Sequence, residues 1–330
     1  MAHDHSAALA DQVRTNCATG TPLRIEGSGS YASYCSPPQS AEVLSTREHH
    51  GIVSFDPTEM VVTVRSGTPL LELEAVLAEK GQQLGTECPQ LSEQATIGGA
   101  IAMGFSGSGR PFRGAMRDFV LGARIINGLG EDLQFGGQVM KNVAGYDLSR
   151  LMVGSAGRLA VLLEVSLKLL PLPEESLSLS FQYPDYREAI SFADQLVNLA
   201  EPLTAASYFR EQLFLRFSGR GATMKRLRSS LGGEAFSDSW WQDLRCWRMP
   251  WGQATHLGYR EHRFREPQCT GNSLVDWNGG LVWSAAPEPT ASTQLCLSEP
   301  VANSGLSGQL EQRLRRAFDP EAIFRGAGDQ

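Results

Sequence analysis

Between Ala95 and Gly107 the chain reads Ala-Thr-Ile-Gly-Gly-Ala-Ile-Ala-Met-Gly-Phe-Ser-Gly. Each glycine inside a helix costs about 1 kcal/mol relative to alanine. A segment with four of them in thirteen positions is therefore built for close approach rather than for intrinsic helix stability. Two readings are open. Tight packing of a helix on a sheet accounts well for Ala100 and Ala102. The adjacent pair Gly98-Gly99 fits better with backbone laid directly against something flat or anionic.

A second glycine cluster points the same way. Leu23-Arg24-Ile25 reads as a short strand running into Gly27-Ser28-Gly29-Ser30. Together with Tyr31-Ala32 this formally matches the G-x-G-x-x-A dinucleotide fingerprint. That fingerprint must open a helix whose N-terminus meets a pyrophosphate, and Ser36-Pro37-Pro38 breaks any such helix almost at once. What remains is a Gly/Ser turn, either an ordinary connection or a nest of backbone N–H groups for an anion. A third segment, Val139 to Val161, contains the turn Gly154-Ser155-Ala156-Gly157, to which periodicity assigns no role.

The rest of the chain frames these segments. Helices are expected over 7–17, 70–80 (Leu70, Leu73, Val76 and Leu77 on one face) and 146–152. Strands are expected over 60–64, 119–126, 132–135 and 159–170. After Pro171 and Pro173 the glycine content drops. Strand-like pieces at 177–181, 205–209 and 213–217 then alternate with helices at 186–199 and 223–231, and an amphipathic helix is expected at 309–318. This predicts an α+β chain of two domains, 1–173 and 174–330.

Charge and cysteine content narrow the function classes. The net charge of −7 argues against nucleic acid, which needs a basic face. No apolar run approaches a membrane span, and Met1 to His5 lacks a charged-then-apolar leader, so a cytoplasmic protein is expected. Cys17, Cys35, Cys88, Cys246, Cys269 and Cys296 contain no C-x-x-C pair, so neither an iron–sulfur cluster nor a structural zinc is expected on this chain.

The three glycine-bearing segments, in this order and spacing, resemble the FAD-binding domain of the vanillyl-alcohol oxidase / PCMH-type flavoprotein superfamily. Within it, they are most similar to the FAD-binding subunits of bacterial glycolate oxidases. The resemblance rests on STREHHGIVSFDPTEMVVTVRSGTPL, on the long run from ATIGGAIAMGFSGSG to VSLKLLP, and on the tail RRAFDPEAIF. It implies two α+β subdomains with FAD between them, followed by a smaller α+β cap domain at 174–330. By the family's pattern, Gly27, Ser28, Gly29 and Ser30 hold the pyrophosphate. Thr96, Ile97, Gly98 and Gly99, with Ala102, Gly104 and Ser106, line the adenine-to-flavin path, and Gly157 and Val161 close the pocket. No histidine lies in the first loop, so the FAD is expected to be non-covalent. Two positions depart from the pattern: Ser28 replaces the middle glycine of the first loop, and Arg325-Gly326-Ala327 replaces Asn-Pro-Gly in the tail.

Oxidising a 2-hydroxy acid requires a base or metal at the α-carbon, a cation for the carboxylate and an electron acceptor. The second domain offers only His256 and His262, six residues apart, and this spacing matches no helical metal pair. His49 and His50 read as ordinary core or surface residues. Arg245, Arg248, Arg260, Arg263 and Arg265 read as carboxylate anchors or as a solvated basic face. No catalytic residue and no metal ligand is assigned. The resemblance implies a subunit carrying FAD for electron transfer in an enzyme that oxidises glycolate, with D-lactate as a related substrate. Its partners would be a larger FAD-containing catalytic subunit and an iron–sulfur subunit, which could hold the complex at the inner membrane. A stand-alone FAD-dependent 2-hydroxy-acid oxidoreductase and a structural subunit that has lost FAD remain open. Trp240, Trp241, Trp247 and Trp251 are either core or a partner surface.

Overall fold

The computed structural model describes residues 3–31, 40–137, 147–248, 250, 258–261, 273–284, 295–296 and 306–326. The chain divides into two compact units. The first comprises residues 1–105, 116–171 and 298–330, and the second 106–115 and 172–297. The break near residue 172 lies where the glycine content falls. The division differs from the sequence expectation at two places: residues 106–115 go with the second unit, and the C-terminal helix goes with the first.

In the first unit, helix α1 (Ser6–Thr19) turns a stripe of Leu9, Ala10 and Val13 inward and stops at Gly20, which takes a left-handed conformation. Strands β1 (Leu23–Glu26) and β2 (Glu42–Ser45) pair in parallel, with Leu23 opposite Glu42 and Ile25 opposite Leu44. The tail joins them: the Leu23 N–H donates to Ile323 and the Arg325 N–H donates to Leu23. Leu9, Val13, Leu23, Leu44, Ile323 and Phe324 form the core of this layer.

The larger sheet runs in the order β3 (Ile52–Asp56), β4 (Val61–Arg65), β8 (Val161–Pro171), β6 (Val120–Ile126), β7 (Asp132–Gly136). β5 (Gln82–Leu84) adds to the far end of β8, and every pairing is antiparallel. β8 is central and buried on both faces. Leu162, Val165 and Leu167 join the core under helices α2 (Leu70–Ala78) and α3 (Ile97–Met103), whereas Val161 and Leu163 join the core of the α1 layer. A central strand with helices against one face and a second layer against the other must be apolar throughout, which explains its near-continuous hydrophobic sequence. The helix expected at 146–152 is a 3₁₀ turn over Ser149–Met152, and Tyr146 lies outside the described residues.

The second unit is a sheet ordered β12 (Glu234–Ala235), β9 (Glu175–Gln182), β11 (Gln212–Gly219), β10 (Leu203–Phe209), β14 (Leu274–Asp276), β15 (Leu281–Ser284), β13 (Gly258–Glu261), β16 (Leu295–Cys296). Leu213, Leu215 and Phe217 of β11 pack with α5 (Tyr186–Asn198) and α6 (Gly221–Leu231). Because side chains alternate along a strand, Phe214 faces the other way, where Trp240 of α7 (Ser239–Arg245) stacks on it at 4.1 Å. Trp240 is half-buried, whereas Trp241 and Trp247 are buried, and Trp241 donates to Ser178 at 3.0 Å. These three tryptophans pack inside the unit, and Trp251 lies outside the described residues. The short helix α4 (Arg110–Arg113) belongs to this unit, with the Arg110 guanidinium over the Trp277 ring at 4.3 Å. Helix α8 (Leu306–Phe318) begins three residues before its sequence expectation and leads into the tail of the first unit.

Candidate functional site

The loop ends of the first unit surround a cleft that is open to solvent. Its walls come from four places. β1 and the turn after it supply Arg24 to Tyr31, and the residues just past β2 and β4 supply Thr46 and Ser66. α3 supplies Thr96, Gly98, Gly99, Ala102 and Met103. The stretch from Met152 to Leu162 and the tail residues Arg325 and Gly326 close it.

Thr96 starts α3 by accepting the Gly99 N–H at 3.2 Å, so the hydroxyl satisfies a donor the helix cannot. The glycines here answer to space. The Gly98 N–H donates to Ser66 O at 2.8 Å, and a Cβ on Gly98 would lie 2.6 Å from the Ser66 Cβ and 2.7 Å from its carbonyl oxygen. A Cβ on Gly27 would overlap the Thr96 hydroxyl. Glycine thus lets the β1 turn, the β4 end and α3 converge on one cleft. Gly29 has φ +71°, a conformation that glycine adopts without strain. No helix follows this turn through Tyr31, and Ser36-Pro37-Pro38 lies outside the described residues.

The polar edge of the cleft is ordered by side chains. Ser28 and Ser30 share a hydrogen bond of 2.6 Å, and Ser30 shares another of 2.6 Å with Ser92. Tyr31 donates to Pro89 O at 3.1 Å. Arg24 pairs with Glu26 at 3.2 Å. The Nε of Arg24 and the Oγ of Ser66 are buried without a hydrogen-bond partner among the described residues. Ala102, Met103, Met152, Ala156, Ala160 and Leu162 supply an apolar wall. A flat ring system on an anionic tether fits such a site. The apolar wall suits the ring, and the unsatisfied polar atoms with the glycine-exposed backbone suit the tether.

Of the residues singled out from sequence, Gly27, Ser28, Gly29, Ser30, Thr96, Gly98, Gly99, Ala102 and Gly157 line this cleft. Four do not. Ile97 is fully buried in the core under α2 and α3, and Val161 is fully buried in the core of the α1 layer. Gly104 caps α3 at φ +67° and packs on Gly154. Ser106 is buried and belongs to the second unit. The polar lining residues that sequence did not assign to the site include Arg24, Ser66 and Arg325. Gly67 and Gly326 were available as signals. A Cβ on Gly67 would meet His49 O at 2.7 Å, and one on Gly326 would meet Ala156 O at 2.6 Å.

The histidines divide by burial. His49 is fully buried, its Nδ1 accepts the His5 N–H at 3.0 Å, and its Nε2 has no partner among the described residues. Burial pushes its pKa down to about 4, against the pull of the Asp4 carboxylate, so the ring is neutral near pH 7. His50 forms a bridge with His3. His256, His262, Arg263 and Arg265 lie outside the described residues. Arg245 ends α7, and Arg248 is paired with Asp243 at 2.8 Å.

Comparison with known proteins adds four findings. Residues 2–136 match the FAD binding domain family. Glycolate oxidase subunit GlcE of Escherichia coli (strain K12) is 44% identical over 289 residues, covering 85% of this chain and 80% of that protein. Glycolate oxidase subunit GlcD of Bacillus subtilis (strain 168) is 30% identical over 194 residues, covering 58% of this chain but only 40% of that protein. Among solved structures, an alkyldihydroxyacetonephosphate synthase superposes with a TM-score of 0.72 at 16% identity, covering 99% of this chain and 76% of that one. At that identity the likeness speaks for the fold. No described helix is long and apolar enough to cross a membrane.

Proposed function

Since the chain belongs to the family of the glycolate oxidase subunit GlcE and carries an FAD-binding domain, we propose that it is the FAD-carrying subunit of a multi-subunit enzyme oxidising glycolate, and related 2-hydroxy acids such as D-lactate, to the 2-oxo acid. The observation that carries this reading is the convergence of Gly27, Gly98 and Gly99 on one cleft with an apolar wall and unsatisfied polar atoms. Bound there without a covalent link, FAD supplies a two-electron acceptor. The chain's own residues do the rest. The Gly27–Ser30 turn offers backbone N–H groups to the phosphates, and Arg24, paired with Glu26, adds its unpartnered Nε donor. Ala102, Met103, Met152, Ala156 and Leu162 keep water from the ring, which sharpens every electrostatic contact inside.

In this reading the chain relays electrons and the main substrate site lies elsewhere. The support is sequence chemistry: the second unit has only two histidines, and their spacing suits no metal pair. A larger FAD-containing subunit of the GlcD kind would oxidise the substrate, and an iron–sulfur subunit would take the electrons onward, which agrees with the lack of C-x-x-C pairs here. Residues 27–30, 96, 98, 99, 102 and 157 are the proposed FAD contacts. The complex is proposed to work in the cytoplasm, held peripherally at the inner membrane through its partners.

The test is anaerobic addition of glycolate, and separately of D-lactate, to the purified FAD-loaded chain. The flavin absorbance is expected to persist with this chain alone and to bleach once the partner subunits are added. Rapid bleaching with the chain alone would make it a stand-alone oxidoreductase.

A further inference from the structure

The last residues of the described chain run into the cleft, and the fold spends several contacts to put them there. Asp319 is buried, and its carboxylate accepts the N–H groups of Ile323 at 3.0 Å and Phe324 at 2.8 Å. These bonds fold 319–324 into a turn and send Ile323 and Phe324 into the core of the α1 layer. The chain then lies parallel to β1, bonded on both sides of Leu23 at 2.7 Å. Gly326 presses against Ala156 and Arg158, where no side chain fits. The residue between these fixed points is Arg325, half-buried and lining the cleft.

The charge balance of the cleft is uneven. Its charged lining residues are Arg24, Glu26 and Arg325. Glu26 is taken by Arg24 at 3.2 Å. The Arg325 guanidinium has no carboxylate within ion-pairing distance among the described residues. Asp319 attracts it only from beyond that distance. A half-buried cation without an ion pair in a cleft is a site for an anion, and the guanidinium fork suits the paired oxygens of a phosphate.

We propose that Arg325 anchors the diphosphate of FAD, delivered by a C-terminal strand that Asp319 positions. The proposal rests on the FAD reading above and deepens it. It assigns the tail a binding role at the position where its sequence departs from the family's pattern. The adenine-nucleotide part of the cofactor is then held from two sides, by the glycine turn after β1 and by the tail beside it.

The experiment titrates apoprotein with FAD, with ADP, which carries the diphosphate without the flavin, and with riboflavin, which carries the ring without phosphate. Wild type, R325A and R325K are compared at two salt concentrations, with thermal midpoints of the apoproteins as the folding control. R325A is expected to weaken FAD and ADP by about tenfold, with riboflavin unchanged, and to flatten the salt dependence of FAD binding. R325K is expected to recover part of the loss. Unchanged FAD and ADP affinities in R325A overturn the proposal, and so does an equal loss for riboflavin, which would place the side chain on the ring. A wild-type chain that binds none of the three overturns the FAD reading itself. If R325A lowers the apoprotein's thermal midpoint, R325Q, which keeps length and polarity without charge, decides between the same outcomes.

Discussion

Acidification should destabilise the first unit through His49, and the structure gives the size of the effect. His49 is fully buried, its Nδ1 is already an acceptor for the His5 N–H, and its Nε2 has no partner among the described residues. Protonation would break that bond and strand a charge away from water, so the folded pKa falls to about 4 from 6.5. The unfolded chain therefore binds this proton first. Stability is fully present above pH 6.5 and is lost as the pH falls toward 4. The gap corresponds to about 3 kcal/mol at full protonation, of which about 2 kcal/mol is lost between pH 7 and pH 5. Asp319 acts in the opposite sense. Burial raises its pKa above the usual carboxylate value, so the fold holds its proton more readily and gains relative stability as the pH falls. Asp4, held down to about 2 mainly by the Ser6 N–H, loses its contribution only below about pH 4.

Subtracting the profile of His49→Asn isolates the histidine. Asparagine keeps an acceptor near the position of Nδ1 and cannot titrate. Urea denaturation of the apoproteins, followed by far-ultraviolet circular dichroism at pH 7 and pH 5, should show wild type losing about 2 kcal/mol more than the variant. A nuclear magnetic resonance titration of the ring gives the pKa directly. Parallel losses in the two proteins, or a ring titrating at or above 6.5, would refute the reasoning.

Other expectations follow from single contacts. Gly98→Ala forces a Cβ to within 2.7 Å of the Ser66 carbonyl oxygen, so it should cost about 1–3 kcal/mol and lower FAD affinity, read by thermal melting and flavin titration. Asp319→Ala removes the acceptor for two buried N–H groups and should cost about 3 kcal/mol, with slower-binding or weaker FAD in stopped-flow titration. Trp241→Phe keeps an aromatic ring but loses the bond to Ser178 and part of the buried ring volume, and should cost about 2 kcal/mol with no change in flavin binding. All six tryptophans fall between residues 240 and 283, so their fluorescence reports the second unit while flavin fluorescence reports the first.

What sequence could show depended on whether the determining contact was local. The Leu70, Leu73, Leu77 stripe defines α2 within one short window, and the apolar and aromatic runs at 205–209 and 213–217 make β10 and β11 visible. β2 and β3 were not legible. Glu42–Ser45 buries only Leu44, and Ile52–Asp56 is an edge strand with no buried side chain, so neither carries a period, and both exist because β1 and β4 offer them pairing. The tail's place was hidden for the same reason, since Leu23 meets Phe324 across nearly the whole chain. In the site, the glycines signal themselves because nothing else tolerates such close approach. Arg24, Ser66 and Arg325 are ordinary residue types, and only the fold shows that they face one cleft. Ile97 and Val161 belong to familiar motif words yet spend their side chains on the core.

The central claim is that the first unit binds FAD, one per chain and without a covalent link. The most direct measurement is the absorbance spectrum of the purified chain before and after acid precipitation, with the released cofactor quantified against protein. The account predicts a flavin spectrum near one FAD per chain, with all the colour leaving in the supernatant. A colourless protein that gains no thermal stability from added FAD, or colour that stays with the acid pellet, would contradict it.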